Sequence, residues 1–227
     1  MRITLTKDEL DKCRIFSNKC AVSQQAIEFG QHTTQERKVK EIARDNLIGK
    51  IAETAFSKMM KEQCGIDIPL DFEYYPRGKW DSQDTIINGW RIDVKATRKG
   101  GHWFLIEWSK LAFRKRENKL SHMYVMFTVD WDRKSDQPTG TAEYQGAAFL
   151  DSLRHGYTGT YTLKKNKVIP GTTVKLQADN FGIPFRALKY KDPQKLYEYI
   201  SNCPPSEEMT DNYKCPKKVI KKFGAVK

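Results

Sequence analysis

The sequence predicts an α/β (α+β) fold. A long amphipathic helix is expected from about residue 35 to 63, because apolar residues recur there every three or four positions. A tight β-hairpin is expected around Asn88-Gly89, and residues 123–129 form an unbroken apolar run that is typical of a fully buried strand. A helix and several strands in one short stretch indicate layers of both kinds around a shared core.

The chain is strongly basic. Its 227 residues include 40 Lys and Arg against 28 Asp and Glu, which gives a formal net charge of +12. Lys and Arg side chains that neutralise phosphates release bound counterions, so this excess of positive charge favours a nucleic acid as the partner.

Neither a membrane span nor an export signal is evident in the sequence. No run reaches the ~18 apolar residues of a transmembrane helix, and the first residues lack the apolar core of a signal peptide. The five cysteines are odd in number and scattered, which fits a reducing compartment better than a disulfide framework. We therefore expect a cytoplasmic or nucleoid-associated protein that is not secreted and has no membrane partner.

The helix predicted over residues 35–63 carries an acidic residue at the margin of its apolar stripe. The stripe contains Leu47, Ile51, Ala55 and Met59. Glu53 is either a solvated helix residue or a ligand that the helix turns toward a site. Gly49, one turn earlier, weakens a helix interior by about 1 kcal/mol, and suggests that the helix closely approaches the sheet or a phosphate backbone.

A strand is expected at residues 68–75, and the hairpin follows it. If Asn88-Gly89 forms a two-residue type I′ turn, Asp84 faces Asp93 across the hairpin. Because side chains alternate along a strand, one side of the hairpin is apolar and is expected to face the core. That side carries Ile87, Trp90, Ile92 and Val94.

The other side of the hairpin gathers Asp84, Asp93 and Lys95. Two like charges opposite each other destabilise a strand pair, and crowded carboxylates resist ionising together. A divalent cation removes the conflict, and Mg²⁺ is commonly held by one or two carboxylates plus substrate phosphate. The alternative is that Asp84 lies near the turn while Asp93 and Lys95 form a solvated ion pair.

Asp84, followed by Ile92-Asp93-Val94-Lys95, resembles the signature of the PD-(D/E)xK nuclease superfamily, whose members share the restriction-endonuclease-like fold. In this chain Gln83 stands where the name-giving pattern has Pro. Asp81 is therefore a competing choice for the first acid, although it lies beyond the facing pair in the register above.

The resemblance implies an αβββαβ core, with a central mixed sheet flanked by helices, and a set of site residues. Asp84, Asp93 and Lys95 would be catalytic around a Mg²⁺ ion, with Mn²⁺ able to substitute. Glu53 would be an additional acidic ligand from the preceding helix, and the backbone carbonyl of Val94 would supply a further metal oxygen.

The function implied by the resemblance is Mg²⁺-dependent hydrolysis of phosphodiester bonds by a restriction-like DNA endonuclease. DNA is favoured over RNA as the substrate, and a homodimer is left open. One alternative is a nucleic-acid-binding protein that keeps the basic surface and does not cut. Another is a branched-DNA (Holliday junction) resolvase or an RNA-directed nuclease on the same fold, and the motif alone does not separate these.

Cations near the predicted site are expected to contact the nucleic-acid backbone, because Lys and Arg position phosphates. These candidates are Lys50, Arg77, Lys79, Arg98, Lys99, Lys110, Arg114, Lys115 and Arg116. His102, after the flexible pair Gly100-Gly101, is either a proton carrier or an exposed loop residue.

The chain divides into four expected regions: an N-terminal helical segment (1–34), the nuclease core (35–155), a β-rich and helical C-terminal extension that could read the substrate (156–213), and a basic tail (214–227). The segment 103–108 is either a strand or a buried helix. Residues 130–139 read as a polar loop, and residues 143–150 read as a last strand that turns into a short helix. A further helix is expected from Asp192-Pro193 through Ile200, with Asp192 as its N-cap.

Overall fold

The computed structural model describes residues 1–24, 39–73, 84–107, 121–155 and 159–205. In chain order the elements are β1 (Arg2–Thr4), α1 (Lys7–Gln24), α2 (Val39–Cys64), β2 (Thr85–Ile87), β3 (Trp90–Arg98), β4 (Trp103–Glu107), β5 (Met123–Asp132), β6 (Gln137–Phe149), α3 (Leu150–His155), β7 (Tyr161–Leu163), β8 (Asn180–Pro184), a short 3₁₀ helix (Phe185–Ala187) and α4 (Pro193–Asn202).

Five strands form a mixed sheet in the order β1-β6-β5-β3-β2. The neighbours β3 and β5 run parallel, with Ile92 opposite Met123 and Arg98 opposite Val129, whereas the other neighbours are antiparallel. The central strand β5 is buried from Met123 to Val129, as its apolar run predicts. The expected mixed α+β architecture is therefore confirmed.

Helix α2 packs its apolar stripe against one face of this sheet. Ile51, Ala55 and Met59 are fully buried and share a core with Ile92 and Val94 of β3. The helix predicted over residues 35–63 is therefore confirmed from residue 39 onward, and its contact with β3 places Glu53 beside the hairpin.

Side chains and glycine fix the ends of the two long helices. The Thr6 hydroxyl accepts from the Glu9 N–H at 3.2 Å, and the Glu9 carboxylate accepts from the Thr6 N–H at 2.6 Å, which makes a capping box at the start of α1. At the end of α2, Gly65 has φ +72°, and its N–H donates to the Lys61 carbonyl at 3.1 Å.

A second sheet joins the predicted core to the predicted extension. Its order is β4-β8-β7, with Phe104 opposite Ile183 and Leu105 opposite Gly182. The segment 103–108, left open between strand and helix, is thus a strand over 103–107. This sheet encloses a second apolar cluster with Tyr124 and Met126 of β5.

The C-terminal helix α4 returns to the main core. Asp192 caps it by accepting from the Gln194 N–H, and Leu196 and Ile200 are fully buried in the cluster built around α2. The predicted helix is confirmed, and residues 159–205 pack as part of the same body through β8 and α4.

Two local expectations were wrong. The strand predicted at 68–75 does not form over residues 68–73, because side chains of α2 take up its carbonyls: Ser57 Oγ donates to Ile68 at 2.7 Å and Lys50 Nζ to Asp71 at 2.8 Å. The polar segment expected as a loop over 130–139 is strand at both ends, in β5 and β6. The three-residue strand β1 was not anticipated.

Over the described residues, no helix combines the length and the apolar composition that crossing a bilayer requires.

Candidate active site

The hairpin that carries the motif closes at Asn88 and Gly89. Their φ angles are +48° and +81°, so both are positive, as a type I′ turn requires. Ile87 pairs with Trp90 and Thr85 with Ile92, which confirms the predicted turn and register. The apolar side is buried as expected, with Ile87, Trp90, Ile92 and Val94 all in the main core.

Asp84 directly precedes β2 in the chain, and its side chain contacts the backbone of the neighbouring strand β3. Its N–H donates to the Ile92 carbonyl at 3.2 Å, and its Oδ2 accepts from the Val94 N–H at 2.5 Å. The carboxyl group is therefore anchored to the backbone of β3 next to Asp93, where the facing-pair prediction put it.

Asp93 and Lys95 share one side of β3, as their spacing of two requires. Lys95 Nζ donates to Asp93 Oδ1 at 2.5 Å, and the Lys95 side chain is half-buried. The ion pair named as an alternative in the sequence is thus present, but it lies within a larger group of charges.

Glu53 of α2 completes this group. Its side chain is 20% exposed and interacts electrostatically with Asp93 and Lys95, while its Oε2 accepts from Lys50 Nζ. Glu53, Asp84, Asp93 and Lys95 therefore form one electrostatic cluster, which we call the acidic cluster. The solvated interpretation of Glu53 does not fit this position.

Two carboxyl groups of the acidic cluster, those of Asp84 and Glu53, have raised pKa values. Asp84 keeps exposed surface as a residue, yet its carboxyl lies among protein atoms that displace water. That burial, with the charges of Asp93 and Glu53, raises the pKa of Asp84 well above its usual value, against the Val94 N–H and Lys95. Burial likewise raises the pKa of Glu53, with Asp93 adding to the rise and Lys50 and Lys95 opposing it.

The charged form of Lys95, in contrast to that of Asp84, is favoured by its surroundings. Burial disfavours its charged form, but Asp93, Asp84 and Glu53 outweigh this effect and raise its pKa. Lys95 is therefore a cation at neutral pH. It is suited to holding a water or a phosphate oxygen and to stabilising negative charge.

The donor chemistry of the cluster fits a hard divalent cation. Three carboxylates, two of them with raised pKa, converge where added positive charge would relieve their repulsion. Within the described part of the chain, no three His, Cys, Asp or Glu side chains are already arranged as a ligand set. Lys50 engages Oε2 of Glu53 and Lys95 engages Oδ1 of Asp93, so an ion would coordinate through the other oxygen of each carboxylate.

A second charged group lies at the far end of β3. It includes Arg98 and Lys99, two of the residues that were expected to contact phosphates. The Arg98 guanidinium lies 5.9 Å from the ring centroid of Trp131, and Lys99 Nζ lies 3.3 Å from Asp130. Arg2 of β1 also pairs with Asp130. Strand geometry puts Lys99 roughly 13 Å along β3 from Lys95.

Two further cations of this group come from the start of α2. Lys40 Nζ lies 3.4 Å from Asp136, and the charge of Arg44 lowers the pKa of Asp136 after the larger effect of the Trp131 N–H that it accepts. Arg2, Lys40 and Arg44 were missed from the sequence because tertiary structure brings them here: β1 pairing carries Arg2 to Asp130, and the packing of α2 carries Lys40 and Arg44 to Asp136. We call these five cations the basic rim.

The remaining residues that the sequence proposed for the site or for nucleic-acid contact lie in neither the acidic cluster nor the basic rim, or fall outside the described residues. Lys50, expected at a nucleic-acid surface, is only 6% exposed and lies under Glu53. His102 is exposed, and its carbonyl accepts from the N–H of Phe185, the first residue of the 3₁₀ helix that follows β8. The candidates that lie outside the described residues are Arg77, Lys79, Lys110, Arg114, Lys115 and Arg116, together with the competing acid Asp81.

Comparison with known proteins adds no assignment: no family model, no curated protein and no solved structure matches this chain.

Proposed function

We propose that this protein is a Mg²⁺-dependent nuclease that hydrolyses phosphodiester bonds, and specifically a DNA endonuclease of restriction-like type. The observation that carries the proposal is the acidic cluster, in which a tight hairpin and a helix bring three carboxylates and one lysine together. Mn²⁺ is expected to substitute for Mg²⁺, DNA is the preferred substrate over RNA, and a homodimer remains open.

The proposal extends to the fold. Helix α2 followed by the hairpin β2–β3 supports the opening of a restriction-endonuclease-like αβββαβ core. The missing strand at 68–73 departs from that order, and β4 pairs in the second sheet rather than in the main one.

Each residue of the cluster has a role in the proposed reaction. Glu53, Asp84, Asp93 and the carbonyl of Val94 would hold the metal, with Asp84 kept in place by the Val94 N–H. Bound Mg²⁺ supplies a Lewis acid that polarises the scissile phosphate and lowers the pKa of a coordinated water. Lys95 would orient the attacking water and offset the negative charge that develops on the phosphate.

The decisive experiment offers linear, circular, single-stranded and four-way-junction DNA, and RNA, in Mg²⁺ or EDTA. Wild type is expected to cut in Mg²⁺ only, and Lys95→Ala to be slower by about 100-fold or more. Lys58→Ala is the matched control, because Lys58 pairs with Glu9 away from the cluster. A wild-type protein that leaves every substrate intact, or a Lys95→Ala variant that cuts normally, would end the proposal.

The junction and RNA arms of this experiment cover the resolvase and RNA-directed alternatives. The non-cleaving alternative is favoured by one observation: Lys50 and Lys95 already pair with Glu53 and Asp93. A protein of that kind would bind nucleic acid in a salt-sensitive manner, and neither Mg²⁺ nor Lys95→Ala would change the binding.

A further inference from the structure

Lys50 places a positive charge inside the protein. Its residue surface is 6% exposed, and Nζ donates to Glu53 Oε2 and, at 2.8 Å, to the carbonyl of Asp71. The same Nζ lies 4.3 Å from the ring centroid of Phe16 and 5.5 Å from that of Phe72. An ammonium removed from water is tolerated only when it is paired and hydrogen-bonded, and these contacts meet that requirement.

Three separate segments build this environment. Helix α1 supplies Phe16, α2 supplies Lys50 and Glu53, and the segment after α2 supplies Asp71 and Phe72, whose ring meets that of Phe16 edge-on at 6.1 Å. Lys50 and Glu53 are three residues apart in α2 and so lie on the same side of the helix.

Stability alone does not account for such an arrangement. A buried ion pair is often no more stabilising than apolar residues of similar size, because both charges must be desolvated. An arrangement of this kind is better explained by the neighbouring group it controls, and here that group is Glu53 of the acidic cluster.

We propose that Lys50 is a positioning residue that holds the Glu53 carboxylate toward Asp93, so that Glu53 can join the metal site; this inference rests on the nuclease function proposed above. A carboxylate anchored through one oxygen by a fixed cation loses its freedom to rotate toward solvent. Partners of metal ligands typically change metal affinity by 10- to 100-fold when they are removed.

The test measures Mn²⁺ binding to the full chain without nucleic acid, by the loss of the free-ion electron paramagnetic resonance signal. Lys50→Met fills the space between the two rings but carries no charge, and is expected to weaken Mn²⁺ binding about 10-fold or more. Lys50→Arg keeps the charge and is expected to bind more tightly than Lys50→Met. Lys58→Met, which removes an ion pair elsewhere on α2, should match wild type.

A double-mutant cycle separates positioning from general loss of structure. Because Lys50 acts through Glu53, Lys50→Met should have no further effect on Mn²⁺ affinity in a Glu53→Gln background. An equal loss in both backgrounds would overturn the proposal, and so would wild-type affinity in Lys50→Met. If Lys50→Met does not fold, Lys50→Gln takes its place with the same expected loss and the same contrary result.

Failure of the underlying function gives a different result. Wild type that binds no Mn²⁺ would contradict the metal site itself, and this inference would fall with it. Wild type that binds Mn²⁺ and loses it in Asp84→Asn, while Lys50→Met stays unaffected, would contradict the role of Lys50 alone.

Discussion

At the scale of single residues, we expect the charge of Asp84 to lower the stability of the fold that carries it. The raised pKa of Asp84 means that its surroundings, taken together, disfavour its negative charge. The Val94 N–H that it accepts is a contact that a neutral side chain could also make. A carboxyl group perturbed in this way is a candidate functional group, and we expect the charge of Asp84 to serve the proposed metal site.

Asp84→Asn should accordingly raise the melting temperature in EDTA at pH 7 while abolishing cleavage. Asn keeps an oxygen for the Val94 N–H and removes the repulsion from Asp93 and Glu53. Thermal unfolding followed by circular dichroism measures the change.

Asp179→Asn is the opposite control for that comparison. Burial opposes its charge, but the Lys165 N–H and Lys164 outweigh burial and lower the pKa of Asp179. That substitution should lower the melting temperature. A destabilised Asp84→Asn would show that the carboxylate is held by net attraction.

The capping box of α1 predicts a pH-dependent contribution to stability. Burial raises the pKa of Glu9, but the Thr6 N–H, the Thr6 hydroxyl and Lys58 together outweigh it, and the net shift is downward. A lowered carboxyl pKa stabilises the fold above the unfolded value of 4.5, and this contribution disappears as the pH falls through the folded pKa.

Glu9→Gln should therefore lower the free energy of unfolding by about 0.5 kcal/mol at pH 7, a value typical of half-exposed pairs. The difference from wild type should shrink as the pH falls below 4.5 and vanish once Glu9 is protonated in the folded state. Urea titrations at pH 7 and at a series of acid pH values measure it, and a difference that does not shrink in acid would mean that Glu9 acts through packing.

At the scale of elements, features set by neighbouring residues were predictable and features set by distant pairing were not. The hairpin follows from Asn88-Gly89, and α2 follows from its periodic stripe. Strand β6 begins at Gln137 among Pro, Thr and Gly, which favour a loop, and only pairing with β1 and β5 makes it a strand. Residues 68–73 alternate like a strand, but α2 occupies their carbonyls.

Gly49 is a further case in which the sequence alone did not reveal what surrounds a residue. A packing reason for the small residue was expected, yet a Cβ added at Gly49 would meet no atom within 4 Å among the described residues. Close contact with the sheet is therefore not the reason for this glycine, and a close approach of nucleic acid to α2 remains a hypothesis.

Gly49→Ala should raise the free energy of unfolding by about 0.5–1 kcal/mol, because alanine is the better helix former. Gly89→Ala is the contrasting variant and should lower it by about 1 kcal/mol, since φ there is +81°. Urea unfolding measures both. Unchanged DNA affinity in Gly49→Ala would remove the phosphate-approach hypothesis.

At the scale of the whole molecule, the net charge of +12 is partly concentrated in the basic rim. Its five cations lie beside three aspartates, Asp45, Asp130 and Asp136, so positive charge still exceeds the negative charge that these pairs supply. Lys99 of the rim lies roughly 13 Å along β3 from Lys95. This separation suits a nucleic-acid backbone that passes the acidic cluster and then contacts the rim.

Replacing Arg44 and Lys99 together with Ala should weaken DNA binding and flatten its salt dependence. The slope of log K against log salt should fall in magnitude by about 2, as expected for two lost phosphate contacts. Lys165→Ala with Lys167→Ala removes the same charge from an exposed loop of the second sheet and is the control. Equal slopes in the two double variants would mean that only net charge matters.

Sequence reasoning reached the cluster and missed its support. Asp84, Asp93 and Lys95 were predictable because one turn fixes their register. Lys50 was assigned to the surface because a helix edge is usually exposed, and its burial depends on Phe16 and Phe72 from segments before and after α2. Of the basic rim, only Arg98 and Lys99 were predicted, because tertiary contacts bring the other three cations to them.

The order in which the strands pair has a consequence for synthesis on the ribosome. Arg2 pairs with Glu143, and Phe104 pairs with Ile183, so early strands wait for partners that are translated much later. A nascent chain shorter than about 180 residues carries β4 as an open edge with Phe104 and Ile106 uncovered, a state prone to aggregation. The last helix, α4, must also emerge before Leu196 and Ile200 can seal the main core.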